Sequence, residues 1–479
     1  MSHSSPNAAP MNHDAKASKL PLAGLRVLEL GQLIAGPFCA RVLADFGASV
    51  LKIEAPDGGD PLRNWRVLKD GNSIWWESQS RNKRSIAIDL RQSEGQALVR
   101  ELVRDCDVLI ENFRPGQLEQ WGLSYERLSE NHPGLIMLRI SGYGQTGPYK
   151  DRPGFGVIGE AMGGLRYLSG EPGQIPVRVG VSIGDSLAAL HGVIGIMMAL
   201  REREVRGGKG QVIDVALYES VFNMMESLIP EFSVTGLVRE PSGSALPGIA
   251  PTNAYRCNNG LVLIAGNGDG IFRRLMTAIG REDLAHDRAL QDNAGRVAQV
   301  TRLDEAIASW TAERSVESVL DQLHEASVPA GRIYNAQDIA QDPHYQARDM
   351  LIRSTAREAY ALTQPGIVPK LSETPGLLRH PAPRLGEHTR QALAEAGLSE
   401  ERIAELLALG TIRPARRLHR VDGRQRALAD TPGRTGIEVL DRRPCHRLGR
   451  HDRRRRPFGG NVDLGPHRQA ARRRIEGGR

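Results

Sequence analysis

From Arg26 to about Gly144 the chain alternates short, nearly continuous apolar runs with stretches whose apolar residues recur every three to four positions. RVLELG (26–31), SVLKIE (49–54), SIAIDL (85–90), DVLIEN (107–112) and LIMLRISGYG (135–144) have the length and β-branched content of buried strands. PFCARVLADFG (37–47) and EGQALVRELVRDC (94–106) between them have helical periodicity. This alternation predicts an α/β fold with a doubly wound parallel sheet. Right-handed crossovers then place the loops after Leu30, Glu54, Leu90 and Asn112 along one sheet edge, where open α/β sheets bind ligands.

The pattern continues as a helix from Asp185 to about Val205, a turn at RGGKGQ (206–211), and QVIDVALYESVFNMM (211–225), which passes from strand into helix. It then changes. SVTGLVREPSGSALPGIAP (233–251) reads as loop, GLVLIAG (260–266) as strand, and IFRRLMTAIG and LDEAIASWTAE as helices. We therefore expect a disordered leader over 1–20, a large α/β domain over 21–225, and a smaller α+β domain over 226–330. Residues 331–412, with their Pro-rich connectors and the helix SEERIAELLAL (399–409), would return to the large domain. Residues 413–479 form an Arg-rich tail.

Charge changes the picture only through that tail. Residues 413–479 carry 20 Arg, no Lys and 7 acidic side chains, leaving 43 basic and 49 acidic side chains in the first 412 residues. The net charge of +7 thus hides a mildly acidic body. A nucleic-acid-binding arm is one reading of the tail; a disordered extension is the favoured one, because it offers no aromatic stacking platform and no groove-reading helix. No run of eighteen apolar residues occurs, so no membrane-spanning helix is expected. Cys39, Cys106, Cys257 and Cys445 are widely spaced with no CxxC pair, which suggests neither a metal site nor a disulfide framework. A reducing, cytoplasmic setting fits this usage.

The first strand-to-helix turn, ELGQLIAGPF, lacks the GxGxxG spacing of dinucleotide binders. GxxxxGK[ST], GxSxG and HExxH are absent as well. Carboxylates remain, and Asp185 is the best placed, after a glycine and ahead of a long apolar run. A side chain at a helix start meets unpaired N–H groups and the positive end of the dipole, which favour the ionised form that a nucleophile needs. An ordinary N-cap is the competing reading.

An ordered set of motifs goes further: PLAGLRVLELGQLIAGPF (21–38), ADFGASVLKIEAPDGGD (44–60), NKRSIAIDL (82–90), DVLIENFRPG (107–116), SGYGQTGPY (141–149), the GD of 184–185, GKGQVIDVALYES (208–220) and PRLGEHT (383–389). With these the chain resembles the class III CoA-transferases, the CaiB/BaiF family, which includes formyl-CoA transferase and succinyl-CoA-dependent dicarboxylate CoA-transferases. The resemblance spans roughly Pro21 to Ile412. It implies an interlocked, ring-like homodimer without a metal, acting on acyl-CoA and a small carboxylic or dicarboxylic acid, with no membrane partner. It makes Asp185 the nucleophile that carries CoA as an aspartyl thioester. It places coenzyme A, entering as acyl-CoA, against Leu33, Ile34 and Ala35, against Ile88 and Arg91, and against Asn112, Phe113 and Arg114. Core packing competes for Leu33, Ile34 and Ile88, a solvated surface role for Arg91 and Arg114, and turn-forming or core roles for Asn112 and Phe113.

Two departures qualify the resemblance. Ala55 and Gln120 stand where formyl-CoA transferase has arginines. Phe155 and Gly156 stand where the related acyl-CoA racemases have a histidine base and an aspartate, and where many transferases have Tyr and an acid. Neither residue can move a proton, which disfavours the alternative of a racemase or epimerase on this fold. Arg166 and Arg178 are candidates for the distal carboxylate of a dicarboxylic acid, and Trp65, Trp75 and Trp76 for an acyl pocket.

Overall fold

The computed structural model describes residues 19–415; the leader reading and nearly all of the tail reading lie outside the described residues. The strands of the large sheet are β1 (Arg26–Glu29), β2 (Ser49–Glu54), β3 (Lys83–Ile88), β4 (Val108–Glu111), β5 (Ile136–Ser141) and β6 (Val212–Ala216). They lie in the order β3-β2-β1-β4-β5-β6, all parallel. Ile412–Arg413 adds an antiparallel edge beside β3, with Arg413 opposite Ala87. The chain leaves β1 for β2 and β3 on one side and for β4 to β6 on the other. The strand order thus reverses between β1 and β4, the place where doubly wound sheets open a crevice.

The apolar runs are continuous because both faces of the sheet are buried. Side chains alternate between two cores. Leu28, Leu109 and Met137 pack against Leu98, Val99 and Leu102 of helix α1 (Ser93–Val103). Val27, Val108, Ile136 and Leu138 pack instead against the helix Ala35–Asp45 and against α2 (Ile183–Arg206). Glycines let α2 lie close to the sheet: a methyl on Gly192 would stand 2.7 Å from Leu138, and one on Gly195 2.8 Å from Ile213. By length and composition α2 could cross a membrane. It packs here on β5 and β6, leaving Leu190, Ile194, Met197 and Met198 exposed.

A smaller antiparallel sheet joins β7 (Thr252–Cys257), β8 (Gly260–Ala265) and β9 (Ala330–Arg332). Its core draws on Tyr255 to Val328 and includes the helices Asp269–Ala278, Val300–Ala312 and Val316–Glu325. Two local readings need correction. The start of the predicted loop at 233–251 belongs to a helix, Leu228–Thr235. Helix α2 begins at Ile183, two residues before Asp185, so Asp185 is not its N-cap.

Candidate active site

The crevice between β1 and β4 is built on buried charge. Lys52 Nζ donates to Glu29 Oε1 at 2.9 Å and to the Gly31 carbonyl at 2.6 Å, and pairs with Asp60 at 2.9 Å. Asp60 in turn accepts from the Leu33 backbone N–H at 3.0 Å, where φ is +63°. A non-glycine residue adopts that conformation only when its surroundings impose it. From the other side, Asn112 brackets Gln32: its Oδ1 accepts from the Gln32 N–H and its Nδ2 donates to the Gln32 carbonyl, both at 2.8 Å. The loop after β1 is therefore held in shape before any ligand arrives.

A cavity of about 330 Å³ opens there. Its walls are Gln32, Leu33, Ile34 and Ala35 after β1, Asn112 to Pro115 after β4, and the end of β5; Arg152, Gly154, Phe155, Asp185 and Leu217 close it. A second cavity, of about 230 Å³, continues along the edge past β2 and β3 and shares Gln32 and Phe113 with the first. It is lined by Ile88 and Arg91, and by Ala55. Phe113, set edge-on against Trp121 at 5.1 Å, stands at the border of the two.

The structure thus brings Asp185, Leu33, Ile34, Ala35, Asn112, Phe113 and Arg114 around one cavity, and Ile88 and Arg91 around its neighbour. Their side chains are not equally free. Ile34, Ala35 and Ile88 are core residues, and the Asn112 amide is engaged by Gln32. Arg91 is exposed and forms a two-point ion pair with Asp89 at 2.8 Å. Arg114 is exposed on the cavity wall.

Asp185 is the third residue of α2 and is partly buried; no other described residue donates a hydrogen bond to its carboxylate. Burial pushes its pKa up, the Glu160 carboxylate adds to this, and Arg178 opposes it, leaving it at about 6. This corrects the sequence expectation that the helix start would favour ionisation: desolvation and a like charge outweigh the dipole. Space for the carboxylate comes from Gly156, where a methyl would lie 2.7 Å from Asp185 Cγ.

Other candidates have settled roles. Arg166 donates to Glu160 Oε2 at 2.9 Å. Arg178 lies within reach of Asp185 electrostatically and donates to Ser182 Oγ at 3.2 Å. Trp76 is buried, its indole N–H donating to the Pro383 carbonyl at 3.1 Å, and lies off the cavity wall. Sequence reasoning missed Arg152, which lines the cavity with its guanidinium stacked 3.6 Å over the Tyr149 ring. It had sat in a polar loop, KDRPG, that carries no signal beyond solvent exposure.

Fold and site together define an α/β protein with a cavity at the point where strand order reverses and a carboxylate of raised proton affinity on its wall. The model of CoA-transferase family III matches residues 22–389. The chain belongs to that family and is a CoA-transferase. It is 47% identical over 391 residues to the succinyl-CoA–D-citramalate CoA-transferase of Chloroflexus aurantiacus, covering 81% of this chain and 97% of that one. It is 43% identical to the succinyl-CoA–L-malate CoA-transferase beta subunit of the same organism, covering 82% and 98%. A crystal structure of a CaiB/BaiF family protein from Brucella suis shares 35% identity and a TM-score of 0.71, covering 79% of this chain and all of that one.

Proposed function

We propose that this enzyme moves CoA from succinyl-CoA to a small dicarboxylic acid, with Asp185 as the temporary carrier. The observation that carries the reading is the Asp185 carboxylate on the cavity wall, with no hydrogen bond from another described residue and more basic than an ordinary aspartate. A desolvated carboxylate is the stronger nucleophile. It attacks the thioester carbonyl, the C–S bond breaks, and a mixed anhydride and CoA thiolate form. The thiolate then attacks the Asp185 carbonyl, releasing succinate and leaving an aspartyl-CoA thioester. The acceptor carboxylate repeats both steps in reverse and regenerates Asp185. Every intermediate keeps one activated acyl bond, thioester or anhydride, so the exchange needs no ATP.

The named substrates of the two Chloroflexus relatives support this donor and a dicarboxylate acceptor. CoA would lie along the paired cavities, with Arg114 and Arg91 on the wall for its phosphates. Phe155 and Gly156 beside Asp185 supply no proton carrier, so racemisation is not favoured. We read residues 21–225 with 331–412 as one domain and 226–330 as the other, on the strength of the edge strand at Ile412 and the separate third core. The exposed apolar residues of α2, with Ile229 and Phe232, fit burial against a second copy in an interlocked homodimer. Buried, unpaired Cys39, Cys106 and Cys257 suit a cytoplasmic protein.

The test is incubation with succinyl-CoA and a panel of carboxylic acids, reading new thioesters and the Asp185 peptide by mass. New dicarboxylyl-CoA and a CoA adduct on Asp185 are the expected results. Deuterium exchange at the substrate α-carbon without CoA transfer would refute the proposal.

A further inference from the structure

Glu160 lies one helical turn beyond Gly156 on helix α3 (Gly156–Met162) and is buried. Arg166 donates to its Oε2 at 2.9 Å, but its Oε1 is buried with no partner among the described residues. A buried carboxylate with an unsatisfied oxygen is costly and calls for an explanation. The explanation lies where α3 crosses the first turn of α2. A methyl on Gly184 would stand 3.0 Å from the Gly156 carbonyl and 3.4 Å from Glu160 Cγ, and one on Gly156 would overlap the Asp185 carboxylate. The glycines bring the helices together so that Glu160 and Asp185 flank one crossing.

We propose that Glu160, pinned by Arg166, is a positioning residue that promotes acylation of Asp185 by making its free carboxylate the disfavoured state. The inference rests on reading Asp185 as the nucleophile. Before reaction two carboxylates share a poorly solvated crossing, and their repulsion opposes the ionised form of Asp185. As anhydride or thioester, Asp185 is neutral and the repulsion vanishes. Glu160 transfers no proton and forms no bond; its fixed charge shifts the equilibrium toward the covalent adduct and keeps the nucleophile basic.

The surrounding charges leave this role to Glu160. Arg178, in the segment before α2, acts in the opposite sense. Arg152 lines the cavity and stacks on Tyr149. On the other elements packed against α2, Glu219 accepts from Tyr218, Asp214 from the Gln145 N–H, and Asp45 pairs with Arg81. Arg139 pairs with Glu111 and Glu119, and Arg41 stacks on Phe38.

Glu160→Gln keeps the shape and an acceptor for Arg166 while removing the charge; Glu160→Asp keeps the charge. Single turnovers with succinyl-CoA across pH, with the Asp185 peptide weighed for bound CoA, separate the two effects. Glu160→Gln should move the acid limb of the acylation rate down by about one pH unit and lower the adduct fraction about tenfold, with little change in KM. Glu160→Asp should keep the limb near that of the parent. A Gln variant that folds and retains the parent's limb and adduct fraction would overturn the proposal, as would an Asp variant that behaves like Gln. If the parent itself forms no adduct on Asp185, the nucleophile reading fails and this inference goes with it.

Discussion

Gly156 and Asp185 meet across two helices, and the missing side chain of the first is the room occupied by the second. A methyl at Gly156 would stand 2.7 Å from Asp185 Cγ and closer still to Oδ2. A Gly→Ala change inside a helix ordinarily stabilises by about 1 kcal/mol. Here the new methyl must displace the reacting group. Gly156→Ala should therefore fold cooperatively yet lose about 100-fold in kcat, the scale of a misplacement near 1 Å. Steady-state kinetics alongside a melting curve check this; a variant with parental kcat would show that Asp185 need not sit where it does.

The raised pKa of Asp185 also predicts a stability effect. Its native value of about 6 lies above the ordinary aspartate value of 3.8, so the folded state binds more protons between these pH values. Stability then falls as pH rises through that window and levels off above it. Asp185→Asn removes the cost of the buried charge, so the variant should be inactive and more stable than the parent at pH 7.5, by on the order of 2–3 kcal/mol. Near pH 4 the difference should vanish. Denaturant titrations at the two pH values measure it, and a destabilised Asn variant at pH 7.5 would contradict the assigned cause.

Asn112 tests the rigidity of the loop after β1. Its amide makes two hydrogen bonds to the Gln32 backbone, across 80 residues of sequence. Asn112→Ala leaves both backbone groups to find water and releases the loop that carries Leu33. At about 1 kcal/mol per lost bond, KM for the acyl-CoA should rise some tenfold or more with a smaller change in kcat. Equal KM values would assign Asn112 to fold stability alone.

The sheet was legible because strands buried on both faces are mostly apolar and β-branched, and β2 appears residue for residue as SVLKIE. The edge carrying the site followed from topology, which is why residues from the loops after β1, β3 and β4 meet around two adjoining cavities. What stayed hidden depends on long-range contacts. TNAYRC mixes Asn and Arg into a strand that only its partner β8 explains. SVLKIE reads as a buried strand, but nothing local shows what neutralises Lys52 inside it: Glu29 and Asp60 come to it from elsewhere. The onset of α2 was misplaced by two residues because Asp after Gly looks like a cap, and the side chain is directed to the crossing with Gly156 instead.

Arg152 offers the sharpest test of acceptor choice. A dicarboxylate that reacts at Asp185 through one carboxylate keeps a second charge, which needs a cation inside the same cavity. Arg166 is occupied by Glu160, and Arg178 has a hydrogen bond to Ser182. Arg152 lines the cavity, has no ion pair among the described residues, and is held in place by the Tyr149 ring beneath it. A charge-assisted hydrogen bond contributes about 1.5–3 kcal/mol. Arg152→Gln should therefore raise KM for dicarboxylate acceptors roughly 10- to 100-fold, with a clearly smaller loss for monocarboxylates of the same length. Equal losses for both acid classes, with a raised KM for every acyl-CoA donor, would place Arg152 on the CoA phosphates instead.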